Sequence, residues 1–139
     1  MKKIRFLKKK ELNKFLTIVK NNYTKKHILG KSKKIVNFYY NFFEKKKTFL
    51  IGLFQKNKLL SVLGIIPNRN WDNSMKDDYF IAFWVKEKNI SINSIKLINF
   101  IFKKLKPKFL ATTGIDLNTS GKIFNRFNDI INFQNYFIK

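Results

Sequence analysis

Tyr79-Phe-Ile-Ala-Phe-Trp-Val85 is the stretch that decides how this chain folds. It is a short apolar run without polar alternation, which predicts a strand covered on both faces. Downstream, Ile92, Ile95, Ile98, Phe102 and Leu105 recur at helical spacing, predicting a helix over 92–105 that Pro107 stops. Phe109-Leu-Ala-Thr-Thr113 then reads as a second strand closed by a turn at Gly114. A strand–helix–strand crossover makes its two strands parallel and is right-handed in nearly all known cases. Ligands of such units bind beyond the carboxyl ends of the strands. The expected site therefore lies at residues 85–95, facing residues 114–118.

Upstream, Leu12, Phe15, Leu16 and Val19 mark an amphipathic helix over 11–20, and Ile35, Val36, Tyr39, Tyr40 and Phe43 mark another over 33–44. Thr48-Phe-Leu-Ile-Gly-Leu-Phe54 and Leu59-Leu-Ser-Val-Leu-Gly-Ile-Ile66, separated by the polar turn Gln55-Lys-Asn-Lys58, read as a buried antiparallel hairpin. A polar loop follows at 67–78, and after Gly114 a short helix around 118–127 and a closing strand near 131–138. The order is β-α-α-β-β-β-α-β-α-β. This is an α/β fold, with a mixed and mostly antiparallel sheet, one parallel β-α-β crossover and about four packing helices. No repeat or flexible linker interrupts it, so residues 1–139 are expected to form a single domain.

Composition bounds the chemistry. The chain has no cysteine and one histidine, which excludes disulfides, thiolate metal sites and a cysteine nucleophile. With 45% hydrophobic and 17% aromatic residues, the chain can bury a core, unlike a basic disordered tail. The formal charge is +22 from 30 Lys+Arg against 8 Asp+Glu. Lys, Asn, Ile and Phe each have a codon built from A and T alone and together make up more than half the chain, so nucleotide composition accounts for part of the lysine. The charge is uneven, with 18 basic and 2 acidic residues over 1–58 against 12 and 6 over 59–139. The basic start lacks the apolar stretch of a secretory signal, and no run is long and apolar enough to span a bilayer, so a cytoplasmic location is expected.

At the expected site, the first turn of helix 92–105 offers unpaired N–H groups and the positive end of the helix dipole. Ser91, Asn93 and Ser94 are natural caps, and Lys86 and Lys88 add cations, an arrangement suited to a diphosphate. Asp116, just past the carboxyl end of strand 109–113, is the best-placed carboxylate for a general base, although capping helix 118–127 explains it better, because Asp is a preferred N-cap. Glu87 would repel a phosphate and reads as an ion-pair partner.

This order of elements resembles the GNAT N-acetyltransferase superfamily over almost the whole chain. His27-Ile-Leu29, Phe38-Tyr-Tyr40, Leu63-Gly-Ile-Ile-Pro67, Ala82-Phe-Trp84, Thr113-Gly-Ile115 and Tyr136 are similar to a branch associated with bacterial surface-polysaccharide sugar modification. The resemblance implies an acyl-CoA-dependent N-acetyltransferase that uses acetyl-CoA or another acyl-CoA and acts on an amine, such as the amino group of a nucleotide sugar or surface-glycan precursor. It implies that the pantetheine arm pairs with the backbone of Phe83, Trp84 and Val85, that Asn118 contacts the same arm, and that the Val85 N–H stabilises the oxyanion. It places the pyrophosphate on residues 89–94, including Asn89, Ile92, Asn93 and Ser94. Beside the resemblance, Tyr39, Tyr40 and Trp84 suit an acceptor pocket because sugars stack on aromatic faces, against core packing as the commoner role of such residues, and His27 suits an acceptor contact, against a turn or cap. Two positions depart from the family pattern. Ile92 stands where a glycine lets the backbone approach pyrophosphate, and Phe124 stands where a tyrosine protonates the leaving thiolate. The family sheet continues past the point where this sequence ends, which leaves open a truncated C-terminal strand.

Two other classes fit the same residues. The lysine-dense segments 2–10, 25–34 and 45–47, interleaved with aromatics, suit a basic nucleic-acid-binding protein, and non-specific nucleic-acid binding at low salt is expected whatever the function. The two departures suit a catalytically degenerate fold that serves as a binding or regulatory subunit.

Overall fold

The computed structural model describes residues 2–23, 25–40, 47–88, 95–112 and 122. The chain opens with strand β1 (Lys2–Lys8) and a 3-10 turn at Lys9–Glu11, then helix α1 (Leu12–Asn22), a second 3-10 turn (Ile28–Gly30) and helix α2 (Lys33–Tyr40). Strands β2 (Lys47–Gln55), β3 (Lys58–Pro67) and β4 (Asp78–Lys86) follow, then helix α3 (Ile95–Leu105) and strand β5 (Phe109–Thr112). The sheet order is β1-β2-β3-β4-β5, antiparallel except for the parallel β4–β5 pair. The crossover read from the sequence is therefore present. Both prolines stand at element ends, Pro67 closing β3 and Pro107 between α3 and β5.

Three helices rather than about four lie among the described residues. The expected helix 118–127, the closing strand 131–138, residues 41–44 of the second helix and residues 92–94 of the third fall outside them, Lys122 excepted. The basic N-terminal stretch forms an edge strand. Ile4, Phe6 and Leu7 pack inward, while exposed Lys2, Lys3 and Lys8 discourage another strand from pairing along that edge. The loop at 67–78 is shaped by two 3-10 turns, Asn68–Asn70 and Asn73–Met75, and Asp78, expected in that loop, instead opens β4 opposite Phe109. No helix among the described residues is long and apolar enough to cross a membrane.

Cross-strand register sorts the core into two layers. Phe6, Ile51, Leu63 and Trp84 lie in one row, and α3 covers that face, with Phe100 edge-on to Phe6 at 5.4 Å. Leu50, Gly64 and Phe83 form a row on the opposite face. There α1 places Phe15 against Phe83 at 5.9 Å, and α2 places Tyr40 against Gly64. This is why β3 is buried on both faces and carries no alternation.

One irregularity positions the site. Gly64 pairs with Phe83, but Ile65 pairs with Ile81, so Ala82 has no partner on β3. The extra residue makes a β-bulge, which bends the strand and increases its twist. β5 pairs with β4 only from Asp78↔Phe109 to Ile81↔Thr112, where the Thr112 hydroxyl donates to the Ile81 carbonyl at 3.1 Å. Among the described residues, nothing pairs with the outer edge of β4 beyond the bulge.

Candidate functional site

The outer edge of β4 past Ala82 is the centre of the candidate site. Hydrogen bonding in an antiparallel ladder alternates, so each residue turns both its N–H and its C=O either toward its neighbour strand or away from it. The Glu87 N–H donates to the Leu60 carbonyl at 2.9 Å, which fixes the phase of the ladder and turns Val85 and Phe83 toward β3. A second bond agrees, because the Val85 carbonyl accepts from the Ser61 hydroxyl at 3.0 Å. The backbone groups facing the open edge therefore belong to Trp84 and Lys86. This corrects the expectation for Val85, whose N–H is directed into the sheet. Trp84 is anchored as well, its indole N–H donating to Ser61 Oγ at 3.3 Å.

The end of β4 is tied to α1. Asn22 accepts from the Lys88 N–H through Oδ1 at 2.9 Å and donates through Nδ2 to the Ile18 carbonyl at 3.1 Å. The sequence reading missed this residue; its only signal is the Asn21-Asn22 pair at a helix end. Glu87 forms an ion pair with Lys58 at 2.9 Å, the role expected for it from the sequence. Lys86 and Lys88 are exposed at the strand end, where an anionic group would meet them.

His27 caps the 3-10 turn at Ile28–Gly30, with Nδ1 accepting from the Leu29 N–H at 3.2 Å. In the neutral ring the proton is then on Nε2, so this histidine presents a donor rather than a base. Its ring lies 4.9 Å from that of Tyr23 and 5.7 Å from that of Phe83, beside the β4 bulge. Tyr23, 58% exposed, is an aromatic wall that the sequence reading did not single out.

Tyr40 does not line a site. It is 3% exposed, packed against Gly64 and edge-on to Phe15 at 6.4 Å, and burial raises its phenol above the ordinary value. The expectation of an acceptor contact is corrected to a core role. Asn89, Ile92, Asn93, Ser94, Asp116 and Asn118 lie outside the described residues, as do Ser91 and Phe124.

Chemically, the site offers an extended backbone edge whose donors and acceptors could pair with an amide-bearing chain, with cations at its end. An amide chain lying along that edge would behave as an additional strand.

No family model matches the sequence, and no curated protein matches it. Solved structures match in fold. An aminoglycoside N-acetyltransferase in complex with CoA aligns with a TM-score of 0.66 at 10% identity, over 100% of this chain and 94% of that one. A ribosomal-protein-alanine N-acetyltransferase from Brucella melitensis biovar Abortus 2308 aligns at 0.61 and 8% identity, over 100% and 99%. An aminoglycoside acetyltransferase from an uncultured soil metagenomic sample, in complex with sisomicin, aligns at 0.58 and 15% identity, over 99% and 97%. The chain therefore has the fold of the GNAT N-acetyltransferases. Identities this low carry the fold alone.

Proposed function

We propose that this protein is an acyl-CoA-dependent N-acyltransferase that moves an acetyl-type group to an amine. The single observation that carries this reading is the outer edge of β4 beyond Ala82, unpaired among the described residues, with Trp84 and Lys86 turned toward it. The fold supports it, and so does the neighbour that holds CoA. The edge fits an acyl-CoA because a pantetheine arm carries amides at strand-like spacing, and Lys86 and Lys88 suit its phosphates. When bound, acyl-CoA supplies a thioester whose carbonyl carbon is open to attack by an amine.

This chain's residues then have four tasks. The outward N–H of Trp84 or Lys86 takes the role first given to Val85, donating to an oxygen that gains negative charge during acyl transfer. Asp116 accepts the proton that the amine must lose, directly or through water. Asn89, Ile92, Asn93 and Ser94 hold the diphosphate, and Asn118 holds the pantetheine arm. His27, through Nε2–H, with Tyr23 and the ring of Phe83 beside it, forms the acceptor wall. The acceptor is proposed to be an amino group on a nucleotide sugar or surface-glycan precursor, made in the cytoplasm. The support is the set of short matches at His27–Leu29, Leu63–Pro67 and Ala82–Trp84, together with a neighbour that holds the amino-sugar compound sisomicin.

Thermal unfolding of the full chain with acetyl-CoA, with CoA and with a short nucleic acid, each at low and physiological salt, tests the donor. Stabilisation by acetyl-CoA that persists in salt is the expected outcome. Stabilisation by nucleic acid alone, fading steeply with salt, overturns the enzyme reading. Release of free CoA thiol in the presence of an amino-sugar panel tests transfer; firm acetyl-CoA binding without turnover assigns the chain to a degenerate, binding-only fold.

A further inference from the structure

The chain is held tightly just past the end of β4. The Glu87 N–H donates to the Leu60 carbonyl at 2.9 Å, the Glu87 carboxylate pairs with Lys58 at 2.9 Å, and the Lys88 N–H donates to Asn22 Oδ1 at 2.9 Å. The first two tie this stretch to β3. The third comes from the helical layer, from a residue 66 positions away in sequence. Its meaning follows from the phase of the ladder. With Glu87 turned toward β3, Trp84 and Lys86 face outward, and a continuing strand would present the Lys88 N–H next. Asn22 takes that donor instead, so the open edge ends at Lys86.

Asn22 is itself anchored. It is the last residue of α1, and its Nδ2 donates to the Ile18 carbonyl at 3.1 Å, which leaves Oδ1 to face Lys88. Ile18 and Val19 are buried, and the Tyr23 N–H donates to the Val19 carbonyl at 3.0 Å. Tyr23 in turn stands edge-on to Phe83 at 5.4 Å. These two consecutive residues therefore meet β4 on either side of its outward donors, Tyr23 at Phe83 and Asn22 at Lys88. Lys88 is exposed, so water would satisfy its N–H at little cost, and the bond to Asn22 adds little to folding. What the bond does is select one arrangement of α1 against the strand. A ligand that pairs with an edge already ordered does not have to order it on binding.

We propose that Asn22 is a positioning residue for the acyl donor. By taking the Lys88 N–H it closes the edge after Lys86, and it holds the end of α1, with Tyr23, in register with the outward donors of Trp84 and Lys86. It acts through Lys88 and not on the reacting atoms. The proposal rests on the acyl-CoA reading for its ligand, while the Asn22–Lys88 bond stands without it.

The test combines amide hydrogen exchange of the ligand-free full chain with titrations of acetyl-CoA and of S-acetylpantetheine, the neutral arm without its phosphates. Asn22→Ala removes both side-chain bonds. Asn22→Asp keeps an acceptor for Lys88 but cannot donate to Ile18, and Asn21→Ala is the control at the exposed neighbour. Asn22→Ala should lose Lys88 amide protection and bind both ligands at least about tenfold more weakly, with Asn21→Ala within about twofold of wild type. Asn22→Asp should keep that protection and bind S-acetylpantetheine within about threefold of wild type, a rescue that a purely structural role at the helix end does not produce. Circular dichroism checks that each variant folds. If Asn22→Ala binds acetyl-CoA as tightly as wild type, or Asn22→Asp loses as much S-acetylpantetheine affinity as Asn22→Ala, the role of Asn22 is overturned and the acyl-donor reading stands. If wild type itself does not bind acetyl-CoA, that reading fails and this proposal falls with it.

Discussion

Gly64 leaves no room for a side chain. A Cβ placed there would lie 2.7 Å from Tyr40 Cε1 and 2.9 Å from Cζ, and the Tyr40 ring is packed into the core. Gly64→Ala should therefore destabilise the protein by about 1–3 kcal/mol, read from the urea midpoint. Glu11 offers a second residue-scale test. Hydrogen bonding from Arg5, reinforced by the Lys8 N–H, holds its carboxyl down to about 2. A carboxyl depressed in the folded state stabilises the protein above the ordinary carboxylate range and loses that contribution as pH falls toward the folded value. Urea midpoints should show Glu11→Gln clearly weaker than wild type at neutral pH. The gap should narrow between roughly pH 4.5 and pH 2; a gap independent of pH would mean that the Arg5–Glu11 pair contributes nothing through its charge. Residue roles were the least legible level in the sequence. An aromatic residue at Tyr40 can face either a core or a cleft, and the ladder phase that turns Val85 inward depends on hydrogen bonds to another strand.

At the scale of elements, the strands at 48–54, 59–66 and 79–85 were readable to within about one residue at each end, because unbroken apolar runs bounded by polar turns leave little choice. β1 was harder. Its lysines mask an inward-facing Ile4, Phe6 and Leu7. The bulge at Ala82 left no sequence signature, since alanine is ordinary in a strand and the extra residue shows only when β4 is laid beside β3. The exposed β4 edge yields a prediction that separates backbone from charge. Proline at 86 removes an N–H that faces outward, so no bond to β3 is lost. Lys86→Pro should bind acetyl-CoA about five- to tenfold more weakly than Lys86→Gln, measured by titration calorimetry, the equivalent of one hydrogen bond. Equal affinities would mean that the acyl donor does not use this edge.

For the whole molecule, the net charge of +22 sets a background against which every anion measurement is read. Non-specific binding to a duplex oligonucleotide should be detectable at low salt. It should weaken steeply on a double-logarithmic plot as salt rises, while acetyl-CoA binding changes much less. The bulge adds a different consequence. Ala82 is an insertion between two stretches of β4 whose pairing with β3 is each regular, so removing its codon would join Ile81 to Phe83 while leaving Gly64 opposite Phe83 and Ile65 opposite Ile81. Such a deletion should keep the unfolding free energy within about 1–2 kcal/mol of wild type while straightening β4 toward β5 and abolishing acetyl-CoA binding. A single in-frame triplet loss would thus separate the shape of this sheet from any use of its β4 edge.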